Sequence, residues 1–231
     1  MVYYPVGTFI PAGFFLSELS ATFGPMMFIV DAVKESFAIL LKETSWLEWC
    51  GVITGTLCVW LAAKNNILNW PVASVSVLIY IFLLNEKRLY SDMELQIFFL
   101  GMNIYGWYYW TKNTGNIAVV RPVSTITRQE AILTIDGIIL FTLISGCIHH
   151  YYTGAAYPFL DSFCTACSIA GQIFLARKTL QTWLIWIFVD LIYIGVYISK
   201  DLYATSIMYT LYIYIAWMGY RSWKKIYTQQ A

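Results

Sequence analysis

The sequence predicts an all-α, polytopic membrane protein. Its seven core transmembrane helices form two parallel three-helix repeats joined by a linker helix (3+1+3), with an extra N-terminal helical segment. Three observations predict this class. Of 231 residues, 59% are hydrophobic and only 12% charged, where an ordinary soluble domain has about a quarter charged; the mean hydropathy is +0.63. Between Lys64 and Glu86, and again between Asp136 and Asp161, no residue is formally charged, and such gaps exceed the roughly 20 helical residues that cross a bilayer. The third observation is that the chain repeats itself at an offset of 113 residues. A net charge of +1 gives no reason to expect nucleic acid, and no soluble stretch is long enough for a catalytic domain with its own core. Function is therefore expected among the membrane helices.

Residues 1–45 form the N-terminal unit. Gly7 to Val33 is apolar but broken by Pro11, Glu18, Pro25 and Asp31. Met26 to Leu41 reads as an amphipathic helix at the interface; an eighth span is the alternative, and it would move the N-terminus to the other side. The first Lys or Arg is Lys34, so no signal peptide is expected. Apolar runs at 46–63, 70–85 and 93–111 make the first three-helix repeat, 46–111. A loop and the linker span 131–150 fill 112–150, and spans 159–176, 182–198 and 202–220 make the second repeat, 151–223. Residues 224–231 are a tail. Continuous runs of this length favour helices over a barrel's short alternating strands.

The repeat aligns Ala63, Trp70, Leu78, Ile79, Tyr80, Ile81, Lys87, Leu89, Tyr90, Gly106, Trp110 and Lys112 with Ala176, Trp183, Leu191, Ile192, Tyr193, Ile194, Lys200, Leu202, Tyr203, Gly219, Trp223 and Lys225. These are 12 identities in 53 ungapped positions. One connecting span makes the two units parallel, so their pseudo-two-fold axis runs along the membrane normal. On that topology five Lys and Arg fall on one face and nine on the other, which puts the C-terminus in the cytoplasm.

Asp190 is the only formally charged residue deep within a span, where ionisation demands a partner or a wet cavity. Helical spacing aligns Trp183, Trp186, Asp190, Tyr193 and Tyr197 on one face. Two indoles and a phenol beside a carboxylate can take a flat, cationic ring by stacking and cation–π attraction; a protonated packing residue is the alternative for Asp190. Gln96, Asn103 and Trp107 make a second polar face. Buried carboxamides must find partners, either a neighbouring helix or a ligand's amide and hydroxyls. The equivalent places in the second repeat hold Tyr209 and Ala216, a divergence that an asymmetric ligand requires. Asn69 and Pro71 open a helix, as capping alone explains. Cys164 and Cys167 stand on an apolar helix without a second ligand pair, and His149-His150 suits an interfacial edge. No nucleophile with a base, phosphate loop or metal set is present, so neither enzyme activity, cofactor nor metal is expected.

Several stretches together resemble the PnuC family of bacterial nicotinamide riboside transporters: residues 60–71 (WLAAKNNILNWP), 88–99 (RLYSDMELQIFF), Asn103 with 105–110 (YGWYYW), and 183–186 (WLIW). The resemblance covers about Trp46 to Trp223. It implies a fold related to the SWEET sugar carriers, a homotrimer in a bacterial inner membrane, facilitated diffusion of the riboside, and trapping by a cytoplasmic kinase. Where that family's pattern commonly has Asn, this chain has Asp190. With this resemblance Trp183 and Trp186 are assigned to stacking, Gln96 and Asn103 to the polar edges and Asp190 to cation or ribose contact, with Trp107, Tyr193 and Asn69 as further substrate-binding candidates. A carrier of thiamine or another flat vitamin, a sugar carrier, and a non-transporting receptor or scaffold stay open.

Overall fold

A computed structural model describes residues 30–31, 33–39, 41–42, 45–86, 90–112, 122–152, 157–199 and 203–230. Seven helices have defined bounds: α1 (Trp46–Ala63), α2 (Asn69–Glu86), α3 (Tyr90–Thr111), α4 (Arg128–Tyr152), α5 (Pro158–Ala176), α6 (Thr182–Ser199) and α7 (Tyr203–Gln230). No strand occurs among the described residues. Residues 30–31, 33–39 and 41–42 are helical, all but residue 42 within the expected N-terminal helix; its start at 26–29, and most of the expected 113–128 loop, lie outside the described residues.

Local chemistry sets the helix ends. Ser45 accepts from the Glu48 amide at 3.2 Å while the Glu48 carboxylate accepts from the Ser45 amide at 2.8 Å, a reciprocal cap that starts α1. Thr127 and Glu130 repeat the device at α4, with bonds of 3.2 and 2.9 Å. α1 and α5 end alike. After α1 the amides of Asn65 and Asn66 reach back to the carbonyls of Ala62 and Leu61; after α5 those of Lys178 and Thr179 reach back to Leu175 and Phe174. Both are Schellman closures, with Asn65 at φ 55° and Lys178 at φ 56°. Asn tolerates the left-handed region through its short polar side chain, whereas Lys has no such help. Lys178 is held there by its surroundings: its ammonium lies 4.3 Å from the Trp110 ring centre, and Ser124 bonds its carbonyl at 3.0 Å.

The helices pack as α1–α2–α3 and α5–α6–α7, with α4 against α5 alone among the defined helices. The two trios meet through α1 with α7 and α3 with α5. Between them the residues matched at the 113-residue offset take matched places. The Trp70 and Trp110 rings meet edge to face at 5.3 Å and 89°, and so do Trp183 and Trp223 at 5.3 Å and 88°. Trp110 Nε1 donates to the Ala176 carbonyl and Trp223 Nε1 to the Ala62 carbonyl, each at 3.1 Å. A Cβ on Gly219 would stand 2.7 Å from the Trp183 ring, and one on Gly106 would collide with Trp70 in the same way. These two glycines are therefore required for the close approach of α3 and α7 to the indoles.

Five helices, α1, α2, α4, α5 and α6, are long and apolar enough to cross a membrane. α3 and α7, at 22 and 28 residues, are long enough but less apolar, because Gln, Asn, Ser, Thr and Tyr replace aliphatic residues along them. Of their polar members, Asn103 and Ser206 are buried. Residues 224–230, the expected tail, continue α7, with the Lys224 ammonium 5.8 Å from the Tyr220 ring one turn back. α4 leaves Leu133, Leu140, Leu143 and Ile144 exposed, as a helix facing lipid does.

Candidate functional site

A cavity of about 420 Å³ opens between the two trios, lined from α1, α2, α3, α5, α6 and α7. Its size suits a small organic ligand. Most lining residues pair off at the 113-residue offset: Trp70 with Trp183, Tyr80 with Tyr193, Val59 with Gln172, Ala73 with Trp186, Val77 with Asp190, Gln96 with Tyr209, Phe99 with Tyr212 and Asn103 with Ala216. The cavity therefore sits where equivalent surfaces face each other, yet its lining is asymmetric. Only the Trp and Tyr pairs are identical.

The first residues of α2 and α6 build one end of the cavity. Asn69 and Trp70 come from the turn after α1 and Trp183 from the turn after α5. Thr182, beside Trp183, donates to the Gly171 carbonyl at 2.8 Å and locks α6 onto α5. The Trp70–Trp110–Trp223–Trp183 series lies at this end, with the central pair 5.8 Å apart. Beyond it, outside the helices, burial pushes the Lys178 ammonium down to about 8. Four polar atoms of the lining residues are buried without a partner: Asn69 Oδ1, Asn103 Nδ2, Trp70 Nε1 and Trp183 Nε1. Buried polar groups are normally satisfied; here one acceptor and three donors of the lining residues are not.

Asp190 lies seven residues beyond Trp183, about 10 Å along α6. It is 6% exposed, and the lining contains no Lys, Arg or His. The cavity thus has a single carboxyl group and no cation to oppose it. Around that level Tyr193, Tyr197 and Tyr209 form a cluster, with Tyr209 stacked on Tyr197 at 5.2 Å and 27° and 5.3 Å from Tyr193. Tyr212 closes the side, its hydroxyl 3.3 Å from that of Thr56.

Seven of the eight residues singled out from sequence line this cavity: Asn69, Gln96, Asn103, Trp183, Trp186, Asp190 and Tyr193. Trp107 does not. It is 46% exposed, because Gly106 takes the inward position on that turn of α3 against Trp70. Spacing through Gln96 and Asn103 aims Trp107 inward, but only a residue without a side chain fits beneath the indole. Reading by composition missed Gln172, Tyr209, Tyr212 and Trp70. Gln172 donates from Nε2 to Asn103 Oδ1 at 3.0 Å, and it was recoverable as a carboxamide inside an otherwise apolar span. Trp70 and Tyr209 were recoverable by carrying Trp183 and Gln96 through the repeat, whereas Tyr212 is the mate of Phe99, an apolar position with no such signal. The cysteines of α5 pack against Val189, and no group of three metal-ligating side chains occurs among the described residues.

An all-helical chain with five helices long and apolar enough to cross a membrane, and a ligand-sized cavity between facing halves, has the architecture of a membrane transporter. The family model described as nicotinamide mononucleotide transporter matches residues 45–225, and the chain belongs to that family. It is 27% identical over 205 residues to the nicotinamide riboside transporter PnuC of Escherichia coli, covering 78% of this chain and 86% of that one. The PnuC of Neisseria mucosa is 23% identical, over 83% of this chain and 77% of that one. The riboflavin/roseoflavin transporter RibM of Streptomyces davaonensis is 22% identical, over 82% and 90%. Among solved structures, the crystal structure of the vitamin B3 transporter PnuC superposes with a TM-score of 0.65 at 20% identity, covering 89% of this chain and 92% of that one. That likeness supports the fold.

Proposed function

We infer that this chain carries nicotinamide riboside across a bacterial inner membrane by facilitated diffusion, with its C-terminus in the cytoplasm. The observation that carries the reading is the cavity lining: stacking rings, one carboxyl group, unpartnered amide and indole atoms, and no basic side chain. A nicotinamide riboside has a flat cationic ring, a carboxamide and a ribose. The carboxamide matches Asn69 Oδ1 as acceptor and Asn103 Nδ2 or Trp183 Nε1 as donor. The pyridinium stacks on Trp183 and Trp186 and faces Asp190. The ribose lies toward Gln96, Tyr193 and Tyr209. A mononucleotide adds a phosphate that no cation in the lining would neutralise, so the riboside is favoured over the phosphate ester in the family's description.

The 3+1+3 reading is supported by the paired Trp contacts, the paired Schellman turns and the lone packing of α4. Two three-helix units rocking about a shared cavity give alternating access. The exposed apolar face of α4 suits lipid and neighbouring copies in a homotrimer, and phosphorylation by a cytoplasmic kinase sustains net import. A second reading, another flat vitamin, is favoured by the likeness to the riboflavin/roseoflavin transporter. A neutral tricyclic ring leaves Asp190 without a counter-charge, which ranks it below.

Calorimetry on the purified, detergent-solubilised chain tests this with the riboside, its mononucleotide, thiamine and riboflavin. Selective micromolar binding of the riboside is expected, falling at least tenfold in Trp183→Ala and in Asn103→Ala. Binding of thiamine or riboflavin in its place would keep the carrier and replace the substrate. Binding of none would favour a receptor or scaffold.

A further inference from the structure

Gln172 lines the cavity together with Asn103, and the two carboxamides join α5 to α3 through a single bond, Gln172 Nε2 to Asn103 Oδ1 at 3.0 Å. Both are buried, with 9% and 1% exposure. The bond uses the Asn103 carbonyl and leaves Asn103 Nδ2 buried without a partner. The same places in the matching contact of α1 with α7 hold Val59 and Ala216, which belong to the apolar core. Val59 and Ala216 make no polar bond there; α7 is held to α1 by Trp223 Nε1 on the Ala62 carbonyl, as α3 is held to α5 by Trp110 Nε1 on the Ala176 carbonyl, so joining the helices does not require the pair. A buried amide left half satisfied on one side only is instead a device for presenting the other half.

We propose that Gln172 is a positioning residue that fixes the orientation of the Asn103 amide, so that Asn103 offers the cavity a hydrogen-bond donor and the ligand end lodged there must carry an acceptor. A free Asn side chain offers either its C=O or its NH2 by rotating half a turn, and so discriminates poorly. Once its oxygen is engaged by Gln172, only the NH2 faces the ligand. This rests on the riboside reading for the identity of the acceptor, the carboxamide C=O, and makes Gln172 a determinant of which ring substituent is accepted.

The test compares nicotinamide riboside with 3-acetylpyridine riboside, in which a methyl replaces the amide NH2 and only the acceptor remains. Calorimetry at pH 6 and pH 9 gives the preference for amide over acetyl in the unaltered chain and in Gln172→Glu. Burial at this place raises a carboxyl's pKa, so at pH 6 a protonated Glu at 172 donates to Asn103 Oδ1 as Gln does, and the preference matches the unaltered chain. Once ionised it only accepts, Asn103 turns over, and the acetyl oxygen meets another oxygen. The preference for the amide then rises about tenfold, the effect of one buried hydrogen bond turned into a mismatch. Cys58, Tyr80, Asp190, Tyr193, Tyr209 and Tyr212 also line the cavity, but both ligands carry the same cationic ring, so their titration cancels in the ratio. Asn103→Asp is the second variant: its carboxylate accepts from Gln172 and also presents an acceptor, and the same rise is expected. A preference that stays at the unaltered value in both variants, with affinity for the two ligands falling equally, overturns the proposal and leaves Gln172 a packing residue. A preference that falls shows the opposite amide orientation and overturns it too. Failure of the unaltered chain to bind either riboside overturns the substrate reading, and the proposal with it.

Discussion

Asp190 illustrates how one side chain acquires meaning from its surroundings. In the sequence it is a carboxylate in a run of aliphatic residues; in the structure it is the sole acidic group of a cavity whose lining has no cation. Val77 occupies the matched place in the other half, so the backbone there does not depend on an acid. Asp190→Asn keeps shape and hydrogen bonding and removes the charge. Affinity for the cationic riboside is therefore expected to fall about tenfold to a hundredfold, in line with a charge-assisted contact of about 1.5–3 kcal/mol. The same substitution leaves a neutral analogue with a reduced ring unaffected, and calorimetry on both ligands reads the difference. Equal losses for both would assign Asp190 to packing. The residues legible from sequence were those whose chemistry is anomalous in a membrane span: the acid, Asn103 and Gln96, and Trp repeated near a helix start. Trp107 lies outside the cavity and Gly106 faces inward for a single reason. Spacing tells which face a residue is on, while the room available on that face belongs to the neighbouring helix.

At the level of elements, helix ends are set by local signals. Ser45 with Glu48, Thr127 with Glu130, and Asn65 in its left-handed turn are signals carried within a few residues. The closeness of α3 to α2 and of α7 to α6 is not local. It depends on a glycine under an indole in each trio. Gly219→Ala places a methyl within 3 Å of the Trp183 ring, and overpacking of this kind destabilises by about 1–3 kcal/mol. The expected result is a lower melting temperature in detergent together with weakened riboside binding, since Trp183 lines the cavity. Gly101→Ala on α3, where an added Cβ meets nothing within 4 Å, should leave both unchanged. A Gly219→Ala chain with unaltered melting and binding would show that the Trp183 ring is free to move. α7 also runs on through residues 224–230 because the chain there offers no breaker, and Lys224 covers Tyr220.

For the whole molecule, the proposed ligand has a charge and the cavity contains no basic group to couple it to an anion. An inward-negative potential then favours entry of a monocation by about 2.3 kcal/mol per 100 mV, roughly fifty-fold in the equilibrium ratio. Proteoliposomes with a potassium diffusion potential should accumulate labelled riboside when the inside is negative, lose it when the sign is reversed, and only equilibrate when the potential is collapsed. Accumulation at zero potential under a proton or sodium gradient would show ion coupling in place of facilitated diffusion. The whole-molecule symmetry was partly written in the sequence, since the offset of 113 residues aligns Trp70, Gly106 and Trp110 with Trp183, Gly219 and Trp223. What those residues do together, two edge-to-face indole pairs crossed by reciprocal bonds to Ala176 and Ala62, is a property of the assembled halves.

By itself the sequence determined the all-helical class, the approximate helix positions and the pool of polar and aromatic residues from which a site could be built. These follow from hydrophobic run length, local capping and the rarity of polar groups in apolar spans, all of which act within one helix. Only the tertiary structure decided which of those residues share a cavity, that Gln172 holds Asn103, and that Trp107 stays outside while Gly106 faces in. Such choices depend on contacts between helices far apart in the chain, where the volume and hydrogen-bonding needs of one surface select what the other can present.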